Sequence, residues 1–134
     1  MDRYIGPPLL ALLAASSASP VGTWKTQDGS ALVQIAQCGQ SLCGSVARVL
    51  ATQPGTPDTD VHNPNAAMRH RPLLGLQVLE GFTWSGTQWT GGRIYDPMSG
   101  KTYRSKLSVN SDGSLKVSGC VLFVCETQRW APER

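Results

Sequence analysis

The chain is short of charge and almost without histidine. Asp, Glu, Lys and Arg make up 16% of its 134 residues, and His62 and His70 are the only imidazoles. Scarce charge argues against long solvated helices, and 14 glycines argue for frequent turns in their place. Apolar runs are short as well. The longest, Leu9 to Ala15, falls well below the roughly 20 residues of a membrane-spanning helix, so no transmembrane segment is expected. Basic residues are scattered singly apart from Arg69-His70-Arg71, and the formal charge is only +3. That pattern leaves no nucleic-acid footprint.

What is present begins with an address. Arg3, the apolar stretch Leu9 to Ala15 and the small residues Ser16-Ser17-Ala18 read as a secretory leader cleaved after Ala18. Asp2 and Pro7-Pro8 depart from the ideal pattern. Residues 19–134 then form a single domain, long enough to bury roughly two-thirds of the surface its unfolded chain exposes. Export places it in the periplasm or outside the cell, where thiols oxidise. Four cysteines, Cys38, Cys43, Cys120 and Cys125, therefore read as two disulfides, with three connectivities open in principle. Cys38 and Cys43 flank a short hairpin loop, which brings their Cα atoms within bonding range, and Cys120 then pairs with Cys125 by elimination. A Cys₄ zinc site is the rival reading. Its spacing is wider than the usual knuckle, so neither metal nor cofactor is expected.

Short strands follow at close spacing. Tyr103, Ser105, Leu107 and Val109 alternate with Thr102, Arg104, Lys106 and Ser108, the period of two that gives a strand an inner and an outer face. Asn110-Ser111-Asp112-Gly113 and Asp96-Pro97-Met98-Ser99-Gly100 are turns, so residues 88–123 read as a three-strand meander. Val121 and Phe123 continue its apolar face. Strands are also expected over 23–27, 31–37, 43–50, 74–81 and 126–130. Residues 52–72 interrupt the rhythm with a proline-rich loop; Asn63-Pro64 should cap a short helix over 65–69. About eight antiparallel strands favour closure into an all-β barrel, because closure removes exposed edges, with a sandwich as the alternative.

Several segments carry a resemblance. Gly22-Thr23-Trp24 is similar to the Gly-x-Trp signature of lipocalins. More closely, the chain resembles the bacterial domain-of-unknown-function family 2147, exported lipocalin-like β-barrel proteins. The matching segments are Gly22-Thr23-Trp24-Lys25-Thr26, Leu42-Cys43-Gly44, Asn63-Pro64, Arg69-x-Arg71-Pro72-Leu73-Leu74-Gly75-Leu76, Gly92-Arg93-Ile94-Tyr95-Asp96-Pro97-x-x-Gly100-Lys101-Thr102-Tyr103, and Thr127-Gln128-x-Trp130. Cys125-Glu126 stands where many relatives carry Gly-Arg. The resemblance implies a small calycin-type up-and-down barrel whose closed end is sealed by Trp24, with Arg129 left to supply the basic residue that stacks on it. It implies no activity, since a fold does not fix a function.

The residues themselves support no enzyme. Asp58, Asp60, His62 and His70 share the loop, but their spacing fits no motif with a mechanism behind it. A barrel of eight strands can hold one small ligand, and Trp84, Trp89, Tyr95, Tyr103 and Phe123 are the aromatics available to wall it. Arg93 lies in step with Tyr95 and Trp89, and Arg48 stands between Val46 and Leu50; either guanidinium, if lumenal, needs an anionic partner. Arg69 and Arg71 mark the long loop as a lid. The first expectation is thus a monomeric, non-enzymatic barrel that binds a small amphipathic molecule at Arg93, Arg48, Trp89, Tyr95 and Tyr103. The alternative is a solidly packed envelope interaction or stress-protection module, without a ligand, whose loops bind protein or cell wall. Large side chains meeting across the interior would favour the second.

Overall fold

A computed structural model describes residues 18–50 and 57–133. The expected leader lies outside them except for Ala18. Eight antiparallel strands form a closed barrel in chain order: β1 (Gly22–Lys25), β2 (Ala31–Cys38), β3 (Ser41–Val49), β4 (Gln77–Trp84), β5 (Trp89–Asp96), β6 (Lys101–Val109), β7 (Leu115–Val121) and β8 (Val124–Pro132). The ring closes where β8 pairs with β1, at Trp24↔Pro132 and Lys25↔Ala131. Among the described residues, no helix is long and apolar enough to cross a membrane.

Turn chemistry sets the strand boundaries. The Asp28 carboxylate accepts from Thr26 Oγ1, Ser30 Oγ and the Ser30 N–H, which folds the β1–β2 turn back on itself. Asp112 does the same for the backbone and hydroxyl of Ser114 between β6 and β7. In the β5–β6 turn the Asp96 carbonyl accepts from Ser99 and Gly100. Gly100 has φ +73°, and a Cβ there would collide with the His62 carbonyl oxygen, so only glycine serves. The meander over 88–123 is present as read. The strand expected from 74 begins instead at Gln77, because Leu73 and Leu76 close a turn of their own through a Leu76 N–H to Leu73 C=O bond. The expected helix shrinks to one 3-10 turn, Ala66–Met68. Its cap is Asn65, whose side chain accepts from the Ala67 N–H, and not Asn63.

Alternation, with a slip in β4 between Leu79 and Phe82, sends Trp24, Ile35, Leu42, Val46, Leu79, Phe82, Leu107, Leu115, Val117 and Trp130 inward, where they form one buried cluster. Leu42 sits opposite Phe82, and Leu115 opposite Trp130. At roughly 25 cal/mol per Å² of apolar surface removed from water, this cluster is the main stabilising term of so small a domain. Cys38 pairs with Cys43 and Cys120 with Cys125, at Cα separations of 5.8 and 4.0 Å. Each bridge lies within one hairpin.

Candidate functional site

The two ends of the barrel differ. One carries the β2–β3, β4–β5 and β6–β7 turns together with the Trp24 indole, whose Nε1 donates to the Pro20 carbonyl at 2.8 Å. There Leu115, Phe82, Leu42, Leu107 and Trp130 fill the interior. Gly92 shows how tight the filling is: a Cβ built on it would stand 2.4 Å from the Phe82 ring. The other end carries the β1–β2, β3–β4, β5–β6 and β7–β8 connections. Its inner face presents Ile94 opposite Tyr103, with Gly119 beside both, and all three are only half buried.

Both guanidiniums expected in the lumen lie outside it. Gly92 and Ile94 point inward, so Arg93 between them points out and is exposed, opposite Glu80 on one side and Arg104 on the other. The in-step argument for Trp89 fails at a β-bulge. Pairing slips between Trp89 and Gly92, where Gly91 takes φ +76°, and Trp89 therefore faces Leu107 on the inner side while Arg93 and Tyr95 face out, Tyr95 still half-buried and packed against the core cluster. A second slip, between Leu32 and Val33, passes over Ala47 and turns Arg48 from the lumen to the surface. There it lines an outer cleft with Val49, Asp58, Pro72 and Leu73. Of the aromatic residues considered as walls, Tyr103 and Trp89 are on the inner face, Trp84 stacks obliquely on Trp89 with ring centroids 5.5 Å apart, and Phe123 is fully exposed.

The expected stack of Arg129 on Trp24 is not formed. Trp130 points inward, so its neighbour Arg129 must point out. Its guanidinium pairs with Asp112 across the surface, while its backbone N–H donates to Gln27 Oε1. Trp24 is buried without it.

Residues 57–73 lie beside β5 and against the β5–β6 turn, fixed there by a buried carboxylate. Asp60 is 0% exposed and accepts from the Tyr95 hydroxyl at 2.6 Å, Asn63 Nδ2 at 2.8 Å and Arg71 Nη2 at 3.1 Å. Burial on its own would raise the Asp60 carboxyl; the hydrogen bonds from Tyr95, Asn63 and Arg71, with the Arg71 charge, outweigh it and hold the group below the usual carboxylate range. Burial, and then the hydrogen bond to Asp60, push the Tyr95 hydroxyl up to about 12. Arg71 is thus an anchor of the loop. Arg69 is another, donating from Nε to the Asn63 carbonyl at 2.7 Å. His62, His70 and Asp58 are exposed, and among the described residues no three His, Cys, Asp or Glu side chains gather at a possible metal site.

A family model for bacterial proteins described as "Uncharacterized protein conserved in bacteria (DUF2147)" matches residues 22–132. The chain belongs to this family. No curated protein matches it. Among solved structures, the DUF2147 barrel is similar to protein HP1028 of Helicobacter pylori, described as belonging to the lipocalin family. That likeness has a TM-score of 0.76 at 21% identity and covers 88% of this chain and 85% of the other. The DUF2147 barrel thus has a lipocalin-like fold. Its two cysteine pairs are compatible with an extracytoplasmic location.

Proposed function

We propose that this DUF2147 barrel is an exported, non-enzymatic binding module that meets its partner with its outer surface instead of enclosing a ligand. The observation that carries this reading is the interior of the barrel, where Phe82, Leu79, Leu42, Leu107 and Trp130 meet across the space a cargo would need. Arg93 and Arg48 both face outward, and shallow clefts lie beside Arg48 and beside Arg71 and Tyr95. Export is supported by the paired cysteines and by the leader read in residues 1–18.

A small amphipathic ligand at the half-buried Ile94, Tyr103 and Gly119 is the second reading, favoured by the openness of that end alone. Titration with a fluorescent fatty acid separates the two. Wild-type protein should show no saturable uptake of that probe, whereas Phe82→Ala should open an apolar cavity that admits only a benzene-sized molecule or xenon, as dry engineered cavities do. Saturable binding by the wild type, weakened by Tyr103→Ala, would establish the carrier in its place.

A further inference from the structure

The β7–β8 hairpin breaks the rules of an exposed turn. Residues 121–124 are Val-Leu-Phe-Val, and Leu122 and Phe123 form the two-residue loop. Such loops favour Asn-Gly or Asp-Gly because their central residues need φ above zero. Leu122 nonetheless sits at φ 55°, the one described non-glycine residue with positive φ. A branched apolar residue there is strained by roughly 1–2 kcal/mol relative to right-handed backbone. Nor does burial compensate it: Leu122 is 76% exposed and Phe123 100%, between Val121 at 57% and Val124 at 71%. A local rule broken with no packing gain marks a residue kept for contact with something else.

The surroundings say what that partner is. The Cys120–Cys125 bridge clamps the neck of the finger, so its apolar tip is held out rigidly. Arg104, opposite Cys120, donates from Nη2 to the Leu122 carbonyl at 2.9 Å. From there exposed cations spread over the outer face: Arg93 directly opposite Arg104, then Lys106, then Lys116 on the next strand. Like charges placed opposite each other are unfavourable within the protein; the carboxylates on that face are Glu80, opposite Arg93, and Asp112, which pairs with Arg129 opposite Lys116. Glu126 lies on the other side of the finger, where it faces Gly119. An apolar fingertip adjoining a cationic face is the pairing that an anionic bilayer surface fits, apolar groups entering the acyl boundary while cations meet the headgroups.

The geometry points to peripheral membrane attachment: residues 121–124 enter an anionic lipid surface and Arg104, Arg93 and Lys106 lie on its headgroups. This deepens the outer-surface reading and rests on it. The test is co-sedimentation of the oxidised protein with vesicles of phosphatidylcholine, with and without 30 mol% phosphatidylglycerol. Binding to the anionic vesicles should fall at least tenfold with Phe123→Asp and about fivefold with Lys106→Gln, the latter corresponding to roughly 1 kcal/mol per surface charge. Phe123→Trp should keep binding and shift its emission to the blue on the vesicles. Equal binding by Phe123→Asp, or no binding to anionic vesicles, overturns the proposal. Crosslinking through residue 123 to a host protein without vesicle binding overturns it in favour of a protein partner. A fatty-acid probe taken up by the wild-type lumen sinks the outer-surface reading separately, because that measurement involves no vesicles.

Discussion

Gly92→Ala tests the packed interior with one methyl group. Gly92 lies on the inner face of β5, and an ideal Cβ on it would stand 2.4 to 2.5 Å from three atoms of the Phe82 ring. Carbon atoms in contact normally rest about 3.5–4.0 Å apart, so the ring has to retreat by more than an ångström. Retreat is blocked, since Phe82 is 0% exposed and faces Leu42, itself 1% exposed. Overpacking of this kind costs about 1–3 kcal/mol. For a domain slightly over 100 residues each kcal/mol lowers the midpoint by roughly 4 °C, giving a fall of roughly 4–12 °C. Circular dichroism melts of the oxidised protein read this directly. Phe82→Leu, which withdraws the ring, should restore part of the loss when combined with Gly92→Ala and should be destabilising alone. That sign reversal separates a steric clash from a simple change in strand propensity. An unchanged or raised midpoint in Gly92→Ala would mean that the ring has room to move, and the case for a filled interior would collapse with it.

Three further outcomes are expected. Tyr95→Phe removes one hydrogen bond to a buried carboxylate and should lower stability by about 1.5–3 kcal/mol in urea melts; a loss below about 0.5 kcal/mol, the size of an ordinary surface change, would show that Asp60 does not depend on it. The pH profile should fall at both ends. The depressed Asp60 contributes stability that is complete above its unfolded value of about 3.9 and is lost as pH falls through its folded value. The raised Tyr95 contributes stability that is complete below about 10 and is lost as pH climbs towards about 12. Tyr95→Phe should flatten that alkaline loss, and an unaltered alkaline limb would assign it to other groups. Trp24→Ala should cost about 3–5 kcal/mol, because the indole is 5% exposed and its N–H is satisfied by the Pro20 carbonyl; a loss under about 1 kcal/mol would show that Trp24 seals nothing.

The barrel itself was legible because its determinants are local. Alternation along 102–109, Asp-Gly turns and cysteines flanking hairpins each act over a few residues, and they all favour the same strands. Side-chain direction was less legible because it depends on bulges. Counting by twos from Tyr95 to Trp89 passes through Gly91, where the ladder slips, and counting from Val46 to Arg48 passes over Ala47. A Gly-Gly pair inside a strand is a readable sign of a slip; Ala47 carries no such sign. The role of the long loop was hidden for a different reason. Asp60 and Tyr95 meet across a separation of 35 residues, and no local pattern specifies that meeting. The apolar finger could have been read from sequence, since Leu-Phe occupies a loop where polar turn formers belong.

The way the ring is shut has a consequence for its integrity. β1 is four residues long and meets β8 at two positions, while both disulfides lie inside other hairpins. Covalently, the oxidised chain is an open ribbon with two stitched folds, and no bond spans the join between its ends. Oxidation fixes how neighbouring strands are aligned without latching first strand to last. The join is therefore where the wall parts first, with the seven remaining strand pairings intact. Two ribbons opened there expose complementary edges, so exchange of β1 between copies is the shortest route from this barrel to an intertwined dimer.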